Sequence, residues 1–173
     1  YVFAGALGFV LYVLFGYPLL LALRARLRRR PVTKRFEPRT ISVLLPVHNG
    51  EAWIGQKLES LLALDYPAGL MDIVVVSDGS TDGTEGIART FTARHIDVKL
   101  LSIPKRGKAE ALNRAMEQAR GEILFFTDVR QAIDRGALRS LVACFADPRV
   151  GAASGELVIR DGRTHEEANV GLY

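Results

Sequence analysis

The chain has 173 residues, 49% of them hydrophobic, and a formal charge of +4. That length accommodates one domain with a real core plus an appendage. A single cysteine, Cys144, excludes an internal disulfide and is read as a buried core thiol. Eight basic residues fall between Arg24 and Arg39 with Glu37 as the one acid among them, so the rest is net acidic and excludes nucleic-acid binding by the folded part.

Tyr1 to Leu23 carries no charged residue. At about 1.5 Å per residue it is long enough to cross a bilayer core of roughly 30 Å. A signal peptide places its positive charges first; here they follow, in Arg24-Ala-Arg-Leu-Arg-Arg-Arg30. Residues 1–23 are therefore predicted to form a transmembrane helix kinked at Pro18, and the basic flank predicts a cytoplasmic domain after it. Residues 24–40, with Pro31 and Pro38, read as a basic linker on the membrane surface. The chain opens on Tyr1 rather than methionine and closes on Val170-Gly-Leu-Tyr173 without a terminating signal, which predicts an internal fragment.

Ile41 to Pro46 reads as a first strand. Glu51 to Leu64 follows as a helix with Ile54, Leu58, Leu61 and Leu62 at helical spacing, broken by Asp65-Tyr-Pro67. The β-branched run from Asp72 ends in an acidic, glycine-rich turn at Asp78, the pattern of a parallel strand buried on both faces. Asp82 and Glu85 form a capping box for a helix reaching about Ala93. Val98–Ile103 is a third strand, and Lys108–Arg120 a helix with Leu112, Ala115, Met116 and Ala119 on one side. Glu122–Asp128 is a fourth strand. Leu138, Leu141, Val142 and Phe145 mark another helix, and Val150–Ile159 a fifth strand. Strands alternating with helices at this pitch predict an α/β fold with a mainly parallel sheet flanked by helices.

Asp78 and Asp128 stand at the carboxyl ends of two such strands, where open α/β sheets form their ligand crevice. Two nucleotide folds fail on the residues. A dinucleotide-binding turn needs G-x-G-x-x-G after the first strand, where this chain has Pro46-Val-His-Asn-Gly50. A P-loop built on Gly107-Lys108 would need glycine at Ser102 and a hydroxyl residue at Ala109. A sugar nucleotidyltransferase would need a glycine-rich Gly-Thr-Arg signature after the first strand, and none is present.

Four stretches resemble family 2 glycosyltransferases, in the family's order and over about residues 41–160: Leu44-Leu-Pro-Val-His-Asn-Gly-Glu51, Val74-Val-Val-Ser-Asp-Gly-Ser-Thr-Asp-Gly-Thr84, Arg106-Gly-Lys-Ala-Glu-Ala-Leu-Asn113 and Phe125-Phe-Thr-Asp128. With the preceding apolar helix, the chain resembles the membrane-bound branch that includes cellulose- and hyaluronan-synthase-like enzymes. The resemblance implies a GT-A fold over residues 41–173, a nucleotide-sugar donor (commonly a UDP-sugar), a divalent cation (Mg or Mn), and transfer with inversion to a glycan or lipid acceptor. It implies donor-site roles for Pro46, His48, Asn49, Glu51, Asp78, Gly107, Lys108, Asp128 and Arg130, with Asp128 as metal ligand. Asp78 takes the uracil N3–H by this resemblance, and His48 lies against the base or is a turn histidine. Lys108 at a helix start can direct its ammonium at the diphosphate, and Gly107 lets the backbone approach the ligand. Asn113 is read as structural.

One departure stands out. Where the family writes Asp-x-Asp, this chain has Asp128-Val-Arg130. A metal ligand is lost and the local charge changes by two units, so the metal is placed in doubt, and Arg130 is a candidate clamp on the diphosphate in its stead. The family's acidic base motif and its Gln-x-x-Arg-Trp motif are absent from the chain, and Glu166 and Glu167 do not match the former. The expectation is a donor-binding half that transfers nothing alone; the alternative is a non-catalytic nucleotide-binding or regulatory module.

Overall fold

The computed structural model describes residues 1–27 and 31–156. They fall in two compact units, Tyr1–Thr33 and Lys34–Tyr173.

The first unit is a continuous helix over Val2–Leu27, long and apolar enough to cross a membrane by length and composition, with mean hydropathy 2.2. It comprises α1 (Val2–Leu11), a π-turn (Tyr12–Gly16) and α2 (Tyr17–Leu27). The π-turn answers the proline. Pro18 has no N–H, and its ring would press on the carbonyl four residues earlier. The preceding turn widens instead, so that the Tyr17 N–H donates to the Tyr12 carbonyl five residues back.

The second unit is built on a four-stranded sheet, wholly parallel, in the order β3-β2-β1-β4. Its strands are β1 (Ile41–Val47), β2 (Met71–Asp78), β3 (Val98–Ile103) and β4 (Ile123–Phe126). The helices between them are α3 (Glu51–Leu62), α4 (Thr84–Arg94) and α5 (Lys108–Gln118), followed by α6 (Ala137–Val142) and a 3₁₀ turn (Ala143–Ala146). Alternate residues of β1 and β2 serve opposite faces. Val43, Leu45, Val47, Ile73 and Val75 join Ile54, Leu58, Leu61 and Leu138 in the larger core, whereas Leu44, Val74 and Val76 pack on Ala111 and Ala115 of α5. The alanines let α5 approach the sheet closely.

The amino-terminal edge of the sheet is pinned by Ser42. Its buried hydroxyl donates to Asp72 Oδ1 (2.6 Å) and accepts the amides of Arg120 and Gly121, both at 2.9 Å. Asp72 also holds Lys99 of β3 at 3.2 Å. Gly121 is required there, since a Cβ would lie 2.4 Å from the Ser42 nitrogen.

At the carboxyl edge, β4 pairs with β1 only as far as Leu44, while β1 runs on beside β2 to Val47. Pro46 falls beyond the last β4 pair, so its missing N–H costs no bond on that side. The chain order reverses across β1, with β2 on one side and β4 on the other. The early end of β4 leaves the last residues of β1 unpaired on that side at this switch point, the place where open α/β sheets form their ligand crevice.

Four expectations are corrected. The fourth strand stops at Phe126: the Thr127 amide still donates to the Leu44 carbonyl of β1 at 3.3 Å, and the chain turns away after it. Asp82 does not form a capping box with Glu85: its carboxylate takes the Thr84 amide (3.1 Å) and hydroxyl, while Glu85 lies by the hydroxyls of Ser102 and Ser77, which hold its carboxyl below the usual range. Residues 150–156 are not strand, and the rest of the fifth strand lies outside the described residues. Cys144 is half-buried rather than buried, with its thiol toward the Ser140 carbonyl at 3.6 Å. In addition, the helix predicted to Arg120 ends at Gln118, and Met116 on its supposed inner face is 40% exposed.

Candidate functional site

Four loops meet at the carboxyl edge, one after each strand. The turn after β1 is laced to the turn after β2 by side chain–backbone bonds. Asn49, in the left-handed region at φ 49, accepts the Thr81 amide on Oδ1 (2.9 Å) and donates its own amide to Ser80 Oγ (3.1 Å). Asparagine tolerates that conformation better than other side chains. Glu51 accepts the Gly83 amide on Oε2 (2.9 Å) at the start of α4, satisfying an orphan donor of that helix. The Glu51 amide donates to Asp82 Oδ2 at 3.1 Å, and the Gly50 amide to Thr84 Oγ1 at 2.8 Å. Asn49 and Glu51 thus shape the site by holding two loops together.

Asp78, 5% exposed, joins the second loop to the third. Its Oδ1 accepts the Arg106 amide (2.6 Å) and its Oδ2 the Gly107 amide (2.9 Å). Its carbonyl accepts Nδ1–H of His48 at 2.8 Å, which fixes the ring and leaves it exposed at the mouth. Gly79 makes the approach between these loops feasible: at φ 62 its missing Cβ would sit 2.7 Å from the Lys105 nitrogen. Gly107, at φ 93, turns the third loop into α5.

Lys108, the first residue of α5, reaches across to Asp128 Oδ2 at 3.1 Å. Asp128 also takes the Arg130 amide on Oδ1 at 3.1 Å. Partial burial works against ionisation of Asp128, but the Arg130 amide and the Lys108 ammonium outweigh it and hold the carboxyl below the usual range. The Arg130 guanidinium lies over the Trp53 ring of α3, 4.3 Å from its centroid. Contact with the ring face leaves its N–H donors for other partners. Beneath the same turn lies Lys57, 3% exposed. Its ammonium donates to Thr127 Oγ1 (2.8 Å) and to the Gln131 carbonyl (2.6 Å). Burial pushes its pKa down to about 8, against the opposing pull of Asp128.

These loops arise from stretches matched by the family model for glycosyl transferase family 2, which spans residues 42–171. The chain belongs to that family. It is 35% identical over 123 residues to a poly-beta-1,6-N-acetyl-D-glucosamine synthase of Staphylococcus epidermidis, a match covering 70% of this chain and 29% of that protein. It is 30% identical over 132 residues to a beta-monoglucosyldiacylglycerol synthase of Synechocystis sp., covering 75% and 27%. Among solved structures, the mannosyltransferase PcManGT of Pyrobaculum calidifontis, in complex with GDP-Man and Mn²⁺, superposes with TM-score 0.71 at 35% identity over 81% of this chain and 43% of that one. Staphylococcus aureus TarS 1–349 with UDP-GlcNAc gives TM-score 0.53 at 32% identity over 57% and 29%. This member of glycosyl transferase family 2 therefore has the GT-A fold and spans less than a third of the length of those two curated relatives.

The donor set of this family 2 member does not fit a metal cage. Asp128 is a lone carboxylate paired with the Lys108 ammonium, and Arg130 stands where a second acid would be needed. No group of three or more His, Cys, Asp or Glu side chains that could hold an ion occurs among the described residues. A hard cation would have to displace Lys108 and sit between a guanidinium and an ammonium.

The structure brings His48, Asp78, Gly107, Lys108, Asp128 and Arg130 to one edge of the sheet. Pro46 is buried near the end of β1, in register with Val76. Asn113 is exposed on α5. Sequence reasoning missed Trp53, Thr127 and Lys57. For Lys57 a signal was present: residues 54, 57, 58 and 61 form one apolar helical stripe in which a lysine is out of place.

Proposed function

We propose that the protein transfers a sugar from a nucleoside-diphosphate-sugar, a UDP-sugar, to a glycan or lipid acceptor with inversion, and that this chain carries the donor site. The observation that carries the reading is the pair of links across the crevice. Asp78 fixes the Arg106–Gly107 loop, and that loop places Lys108 against Asp128, so three strand ends form one charged edge. Relatives bound to GDP-Man and UDP-GlcNAc support a nucleoside-diphosphate-sugar donor, and the UDP-GlcNAc complex supports the uridine form. His48 faces the base and Asp78 its N3–H, with Gly107 admitting the ligand close to the backbone. Lys108 and Arg130 neutralise the diphosphate, because two fixed cations beside one carboxylate leave the edge positive.

The helix over Val2–Leu27 anchors the protein in a membrane, and the basic flank from Arg24 keeps the donor domain on the cytoplasmic side, as in the membrane-bound branch of the family. The anionic leaflet surface attracts such a flank.

Titration calorimetry with UDP tests the donor site. UDP binding that persists in excess chelator is expected; the absence of binding with or without Mn²⁺ refutes the reading. Arg130→Asp, which restores the paired acids, is expected to make UDP binding depend on Mn²⁺. Arg130 also favours a second reading, a nucleotide-binding module without turnover. Sugar transfer by the full-length protein would reject it.

A further inference from the structure

Lys57 is the one charged side chain within the apolar stripe of α3. Its neighbours on that stripe, Ile54, Leu58 and Leu61, are fully buried. An ammonium taken out of water needs full pairing to be tolerated, and an apolar residue would serve the core at lower cost. Its two partners explain its presence. Thr127 and Gln131 are the two ends of a five-residue turn, and within that turn stand Asp128 and Arg130. The ammonium spans the turn from beneath, at 2.8 Å to one end and 2.6 Å to the other. The turn has further supports above Lys57: the Arg130 amide on Asp128, Lys108 on the same carboxylate, and the Arg130 guanidinium over Trp53. Trp53 and Lys57 are four residues apart, hence on neighbouring turns of one helix face. One helix therefore grips the turn twice, at its ends and through its cation.

We propose that Lys57 is a positioning residue for the diphosphate end of the donor site, setting the Thr127–Gln131 turn so that Asp128 and Arg130 face the crevice together. The proposal rests on the donor reading above and adds a residue that touches no ligand. Its removal lets the turn open, so the diphosphate loses partners while the base, held at the His48–Asp78 side, does not.

The test compares Lys57→Met and Thr127→Val in the full 173-residue chain, with UDP and uridine as probes and amide hydrogen exchange as an independent readout. Lys57→Met is expected to weaken UDP about tenfold relative to uridine, the loss of roughly one charge-assisted hydrogen bond's worth of organisation. Thr127→Val keeps the charge, removes one of its two partners, and is expected to shift the same ratio in the same direction by a smaller factor. In both variants exchange at the Asp128–Gln131 amides quickens while that of β1 and β2 stays unchanged. Equal losses for UDP and uridine, or an unchanged ratio with unchanged exchange in the turn, would overturn the proposal. Should Lys57→Met not fold, Thr127→Val decides by the same criteria. A wild type that binds neither probe refutes the donor reading instead, and the exchange data still decide whether Lys57 holds the turn.

Discussion

Replacing Asp78 by asparagine separates two roles that its position makes easy to confuse. The carboxylate is almost fully buried and accepts one backbone amide on each oxygen, from Arg106 at 2.6 Å and Gly107 at 2.9 Å. Asparagine keeps one acceptor and replaces the other with an NH₂ group that faces an amide N–H. One charge-assisted bond is lost and one buried donor is stranded, a cost of about 2 kcal/mol. For a domain of this size that lowers the melting temperature by roughly 5–10 °C. Alanine removes both acceptors and should cost about twice as much. The readouts are thermal unfolding, hydrogen exchange at Arg106 and Gly107, and UDP titration. In Asp78→Asn, both amides are expected to lose protection and UDP binding to fall with them, because the same loop carries Lys108. A variant that melts within about 1 °C of wild type, with both amides still protected, would refute the anchor and leave the carboxylate with a ligand role alone.

Two further outcomes follow from the same kind of accounting. Ser42→Ala strands the Arg120 and Gly121 amides and one acceptor of Asp72 at the opposite edge, so it should lose about 2–3 kcal/mol of stability in denaturant melts; a change in UDP affinity comparable to that loss would contradict the separation of the two edges. Lys57 makes stability depend on alkaline pH. Its folded pKa of about 8 lies below the ordinary 10.5, so between those values the unfolded chain holds a proton that the folded one has released. The cost of burying the ammonium is thus complete below pH 8 and fades as pH rises toward 10.5, and wild type should gain on Lys57→Met when melts at pH 7 and pH 10 are compared. A difference independent of pH would show that folding leaves the Lys57 pKa at its ordinary value.

The sheet was legible because parallel strands buried on both faces must be continuous apolar runs, and Ile41–Val47 and Met71–Asp78 are such runs with turn signals at their ends. The helix after β1 was equally plain from the spacing of Ile54, Leu58 and Leu61. What sequence could not supply was the use of each polar side chain between loops. Asn49, Glu51 and Asp82 sit close to motif glycines and read as ligand contacts or caps; in the fold they bond to each other's loops across about thirty residues of chain. The capping box failed for that reason, since the Asp82 carboxylate is shared between Thr84 and the amide of Glu51, and Glu85 finds hydroxyls on the sheet side. Pairings of this range depend on register, which a local pattern does not encode.

The exchange of acid for arginine at residue 130 has a physical partner in the fold. An arginine placed beside Asp128 without support would be a solvated side chain free to turn away. Here Trp53 supplies a face for the guanidinium, and Lys57 holds the backbone on either side of it. A paired-acid site repels itself and needs a cation to exist as a compact unit. A site with Lys108, Lys57 and Arg130 around one carboxylate has the opposite problem: its excess positive charge must be relieved by an anion. On the proposed donor reading, this position attracts the diphosphate directly, where a paired-acid site would hold it through a metal. The three supporting contacts act together, so truncating Trp53 or Lys57 should erode the contribution of Arg130 rather than add to its loss.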